Sequence, residues 1–198
     1  MDRHRSLWTL GTWLLLIVIV VPTGQAQSKF KTLYAFKGGD DGRWPTSNLI
    51  FDKAGNLYGT TFIGGGHGCG TAFELTPNSD GSWTKTVLHS FKCKDGDGAF
   101  APLIFDQAGN LYGTTVWGGA FNGGTVFKLS PNRDGSWSES VLYSFGGGND
   151  GAGPSGGVIF DSAGNLYGTT RFGGDRGSGT VFRTHTPWGR KLDGECAP

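Results

Sequence analysis

The chain has 198 residues, of which 37 are glycine and 8 are proline; 13% are aromatic, and the formal net charge is +1. So much glycine excludes a helical bundle, the aromatic content argues against low-complexity disorder, and runs such as Leu49-Ile50-Phe51-Asp52 exclude collagen. A near-neutral charge leaves no basic footprint for nucleic acid or an anionic membrane.

The first element is a leader, residues 1–26. Arg3 and Arg5 precede an apolar run from Leu7 to Val21, and Gly24-Gln25-Ala26 offers the small residues that a signal peptidase needs. That run is shorter than the roughly 20 residues of a membrane span. Export is therefore expected, to the medium, the periplasm or the cell surface, with no stable membrane span after cleavage. Losing Asp2, Arg3 and Arg5 also balances the remaining acidic and basic residues.

Residues 27–184 are organised by a repeat. The segment beginning at Ile50 returns at Ile104 and Ile159, a spacing of 54 and then 55 residues, and only the residue after the aspartate changes within it: Lys53, Gln107, Ser162. Each unit reads as four short strands, because each block is a β-branched and aromatic run bounded by turn residues. In the first unit these are strand a at 48–52, b at 56–61, c at 71–75 and d at 84–91. The a–b connection, Asp-x-Ala-Gly-Asn, is a hairpin: the aspartate accepts backbone N–H groups across the turn and glycine takes the left-handed position. The turn builders are Asp52, Gly55 and Asn56, then Asp106, Gly109 and Asn110, then Asp161, Gly164 and Asn165. The expected fold is all-β, a β-propeller-like array of about three four-stranded antiparallel repeats. Their bounds lie near 45–91, 99–145 and 154–184, preceded by a lone d strand at 31–36.

The ordered blocks D-x-A-G-N-L-Y-G-T-T, G-G-x-x-x-x-G-T-V-F, D-G-S-W and V-L-Y-S-F resemble the bacterial GloVer-type tandem repeat of exported proteins. That resemblance covers Phe30 to Arg183. It implies export and a propeller-like architecture, and it carries no activity or catalytic residues across.

Three blades fall short of the roughly 4–8 that close a propeller, so the ring is expected to be incomplete. The lone d strand could complete the third unit, and a homo-oligomer could complete the ring. The tail at 185–198 matches no block, so a truncated array without independent activity is one reading.

Chemistry is sought in the b–c loops, whose length is fixed while their tips vary. Trp117, Phe121 and Phe172 suit stacking on sugar rings or apolar groups, and Arg171 and Arg176 suit carboxylates or phosphates. The competing reading packs Ile63, Trp117 and Phe172 between blades. Cys69 and Cys93 fall at the same end of the c–d hairpin, which in an exported protein points to a disulfide. A zinc site built from His67, Cys69, His89 and Cys93 is the alternative. Cys196 is left over.

The d-to-a loops carry Asp40-Asp41, Asp95 with Asp97, and Asn149-Asp150, which read as solvated turns, with calcium as the alternative ligand. No other cofactor or metal is expected. No G-x-S-x-G, H-E-x-x-H or phosphate-cradling motif occurs, and no catalytic residue is assigned. These readings converge on an exported binding module for an extracellular glycan or protein. A carbohydrate-acting hydrolase or lyase is the enzymatic alternative.

Overall fold

A computed structural model describes residues 29–184; the leader and the tail with Cys196 lie outside the described residues. The repeats belong to one compact unit that starts at Thr32. Its strands are β1 (Ile50–Phe51), β2 (Leu57–Thr61), β3 (Thr71–Pro77), β4 (Trp83–Ser90), β5 (Ile104–Phe105), β6 (Leu111–Thr115), β7 (Thr125–Pro131), β8 (Trp137–Ser144), β9 (Ile159–Phe160), β10 (Leu166–Thr169) and β11 (Val181–Thr184). They form antiparallel sheets in the orders β1-β2-β3-β4, β5-β6-β7-β8 and β9-β10-β11. The all-β, propeller-like repeat architecture read from the sequence is thus the observed one.

The a–b hairpin is built by its aspartate. Asp52 Oδ1 accepts the backbone N–H groups of Ala54 (2.8 Å) and Asn56 (2.9 Å), and Oδ2 accepts the Asn56 amide and the Tyr58 hydroxyl. Asp106 and Asp161 make the same set of bonds in the next two repeats. Burial pushes the Asp52 and Asp106 carboxyls up, but these donors outweigh it and hold both below the ordinary value.

In the middle of strand b, packing requires glycine in every repeat, at Gly59, Gly113 and Gly168. A Cβ on Gly113 would lie 2.7 Å from Phe127 and 2.9 Å from Leu103, so the missing side chain lets the strand-c ring lie flat over strand b. At the far end of the same hairpin, threonines that are buried, except for the half-buried Thr180, pair across the strands. The hydroxyls of Thr61 and Thr71, Thr115 and Thr125, and Thr170 and Thr180 meet at 2.9, 2.8 and 2.8 Å.

Neighbouring repeats are joined by aromatic rings. Phe91, just past β4, meets Phe127 of β7 edge to face at 5.0 Å, and Phe145 meets Phe182 at 4.9 Å. In the same two clusters, Tyr58 meets Phe105 and Tyr112 meets Phe160. Each ring pair adds about 0.5–1.5 kcal/mol beyond the area it buries. Phe51, the first of the strand-a phenylalanines, is 67% exposed, whereas Phe105 and Phe160 are partly buried against these tyrosines.

Residues 32–36 join no sheet, because no strand c precedes them among the described residues. Tyr34 and Phe36 pack instead on the first sheet, with Phe36 meeting Phe73 at 5.1 Å. The third sheet keeps three strands, and β11 is its edge, with Val181 exposed.

Candidate ligand-binding rim

Each b–c loop is pinned by the d-to-a loop running beside it. Isolated bridges link Arg43 to Ile63, Asp97 to Trp117 and Ala152 to Phe172. The residue after each bridge turns its carbonyl to the loop: Trp44, Gly98 and Gly153 accept the N–H groups of Phe62, Val116 and Arg171 at 3.0, 3.1 and 3.1 Å. This geometry needs positive φ, which is 59° at Trp44, 69° at Gly98 and 64° at Gly153. Two repeats use glycine there, as sterics favour. The first repeat holds tryptophan, a residue for which this conformation costs on the order of 1–2 kcal/mol.

The strain presents a ring to solvent. Trp44 is 56% exposed, with the Arg43 guanidinium 4.9 Å from its ring centre and Phe62 stacked beside it at 6.4 Å and 28°. Phe62 in turn meets Trp117 edge to face at 5.6 Å and Phe100 at 6.0 Å. Trp117 and Phe100 are each less than half exposed. Gly98 lies beneath, where a Cβ would sit 3.0 Å from Phe62 and 3.2 Å from Trp117. The result is a cluster of four rings centred on Phe62, across the boundary between the first and second repeats.

Of the residues singled out from the sequence, Trp117 belongs to this cluster. Arg171 and Phe172 come together in the third repeat, the guanidinium 5.1 Å from the ring centre. Phe121 and Arg176 are exposed in their own loops. Trp117 and Phe172 remain half-exposed, at 45% and 50%, so neither is sealed between sheets. Trp44, Phe62 and Phe100 escaped the sequence reading. Aligning the repeats through the d-to-a loop would have exposed Trp44, since Gly98 and Gly153 occupy its place.

Cys69 and Cys93 form a disulfide with a Cα–Cα distance of 5.3 Å, which ties the first b–c loop to the following d-to-a loop. Both sulfurs are consumed, so the alternative zinc set with His67 and His89 does not form.

Three equivalent positions meet at each of the first two repeat boundaries, and two of them meet at the third. At the first, Asp41 accepts the Tyr34 hydroxyl (2.8 Å), the Lys37 N–H (2.7 Å) and the Lys85 ammonium (3.1 Å), and the Lys85 side chain is only 2% exposed. Burial raises the Asp41 carboxyl, but those donors hold it below the ordinary value. At the second, His89 and Asp95 take the places of Tyr34 and Asp41, with His89 Nε2 3.3 Å from Asp95 Oδ2, and Glu139 stands where Lys85 stood. Burial, and then the Asp95 charge, push the Glu139 carboxyl up to about 7, against the opposing pull of His89 and Lys92. At the third, Asp150 accepts the Tyr143 hydroxyl and the Gly146 N–H.

Asp41, Asp95 and Asp150 of the d-to-a loops, read as solvated turns with calcium as the alternative, thus each contact residues of these boundaries. Among the described residues no helix is long and apolar enough to cross a membrane.

No characterised protein matches the chain. Residues 19–182 match the model of the Gloeobacter/Verrucomicrobia repeat, in agreement with the ordered blocks and the repeated sheets. The chain belongs to the Gloeobacter/Verrucomicrobia repeat family.

Proposed function

We propose that the protein is an exported binding module that holds an extracellular carbohydrate against the ring cluster of Trp44, Phe62, Trp117 and Phe100. The observation that carries this reading is Trp44, an exposed tryptophan in a left-handed conformation that the other repeats assign to glycine. Strain of this kind persists where the surrounding structure holds it in place, and it clusters at sites that bind. Flat, half-exposed rings match the apolar faces of sugar rings, and Arg43 beside Trp44 supplies donors for hydroxyls or a uronate carboxylate. Export agrees with the apolar leader and with a disulfide, which persists in oxidising compartments. A protein ligand would use the same rings as anchors.

The test is affinity electrophoresis of the protein through gels containing soluble β-glucan, xylan, mannan or polyuronate. At least one polymer should retard the wild type. Trp44→Gly, which installs the glycine of the other repeats and relieves the strained φ, should fold without loss of stability and lose the retardation; Trp117→Ala should weaken it. Wild-type migration unchanged in every polymer, or Trp44→Gly retarded like the wild type, would discard the carbohydrate reading.

A further inference from the structure

We propose that His89, Asp95 and Glu139 form a binding site for one divalent first-row transition ion, with zinc as its natural probe, at the boundary between the first and second repeats. The three residues come from β4, from the loop that follows it and from β8, so the site exists only when two repeats are stacked. One ligand atom from each lies within 4.8 Å of the other two. Bonds of ~2.0–2.1 Å in a tetrahedron set zinc ligands about 3.3 Å apart, and His89 Nε2 and Asp95 Oδ2 already stand 3.3 Å apart.

Two further observations point to a cation. First, His89 Nε2 and Glu139 Oε1 are buried atoms with no hydrogen-bond partner, so the short His89–Asp95 approach lacks hydrogen-bond geometry. Buried polar atoms are ordinarily satisfied, and an ion is one of the few things that satisfies an imidazole nitrogen and two carboxylates together. Second, the preceding boundary shows what this position requires. There the Lys85 ammonium, 3.1 Å from Asp41 Oδ1, supplies a positive charge from within the chain. At the second boundary a carboxylate replaces that ammonium, so an external cation supplies the charge that Lys85 supplies.

The donor set selects the class of ion. Calcium takes six to eight oxygens, which one imidazole and two carboxylates do not provide, whereas zinc accepts nitrogen and oxygen donors and leaves its fourth position to water. The site uses neither disulfide sulfur, and His67, an exposed loop residue, is not among its donors.

The experiment is zinc titration of the untagged, chelator-stripped chain in competition with a chromophoric chelator, repeated with cobalt to read ligand-field absorption. The wild type should bind one equivalent. Glu139→Lys recreates the Lys85–Asp41 pair and His89→Tyr recreates the Tyr143–Asp150 pair. Both substitutions import a neighbouring repeat's residue and should preserve the circular dichroism and melting of the wild type. Each should weaken zinc at least ~10-fold, since even outer-shell partners change metal affinity by that factor. His67→Ala should bind like the wild type, and excess calcium should not compete. Zinc bound equally by wild type and Glu139→Lys, loss of binding in His67→Ala, or displacement by calcium would each overturn the assignment.

Discussion

The first and second repeat boundaries share a backbone and differ in chemistry. In both, the phenylalanine just ahead of the d-to-a loop meets the phenylalanine of the next strand c, at 5.1 Å for Phe36 and Phe73 and at 5.0 Å for Phe91 and Phe127. In both, an aspartate of the d-to-a loop faces the residue two places into the following d strand. Yet the first boundary carries Tyr34, Lys85 and a strained Trp44, and the second carries His89, Glu139, glycine at position 98 and a disulfide. The ring pairs, threonine pairs and aspartate turns hold the frame. A handful of positions around it are free to change, and these are where charge and exposed rings differ.

Removing the shared ring should separate the two boundaries most. Phe91 is fully buried, whereas Phe36 is only partly so. Phe91→Ala should cost about 3–5 kcal/mol in denaturant unfolding, and Phe36→Ala about half as much. Equal losses would mean that the two boundaries are equally packed. Next in size is the disulfide, present at the second boundary alone. Replacing Cys69 and Cys93 by serine opens a loop with a sequence separation of 24 and should lower stability by about 3 kcal/mol. An unchanged midpoint would show that the stacked sheets already confine that loop.

The smallest effect expected is a dependence on acid at the first boundary. Asp41 is held below its ordinary value in the folded state, so its contribution is present above that value and lost as pH falls through the depressed one. Stability should therefore decline on acidification, and Lys85→Met should flatten part of that decline. An identical acid profile in the variant would remove Lys85 as a cause.

Much of this frame is legible in the residues. Recurrence of Asp-x-Ala-Gly-Asn located every a–b hairpin, because the turn's chemistry is local. The partnership of Cys69 with Cys93 followed from placing c and d side by side. Strand a is shorter than expected, since only Ile50 and Phe51 pair with β2 and Leu49 lies over Gly59. The bulge between Ala72 and Phe73 left no trace in residue type.

The site residues that escaped depend on information the pattern lacks. A left-handed φ at Trp44 belongs to the loop and not to tryptophan. The meeting of His89 with Glu139 depends on how one sheet stacks on the next, and no periodicity along the chain encodes that.

The boundary clusters have a combinatorial consequence. Each is assembled from the closing loop of one repeat and the last strand of the next, so neither repeat owns it. Exchange, deletion or duplication of a single unit would rewrite two such clusters at once while leaving every hairpin intact. An array of this kind can diversify by reshuffling whole modules, and a lysine-to-glutamate change at a junction reverses the charge there without touching a hairpin.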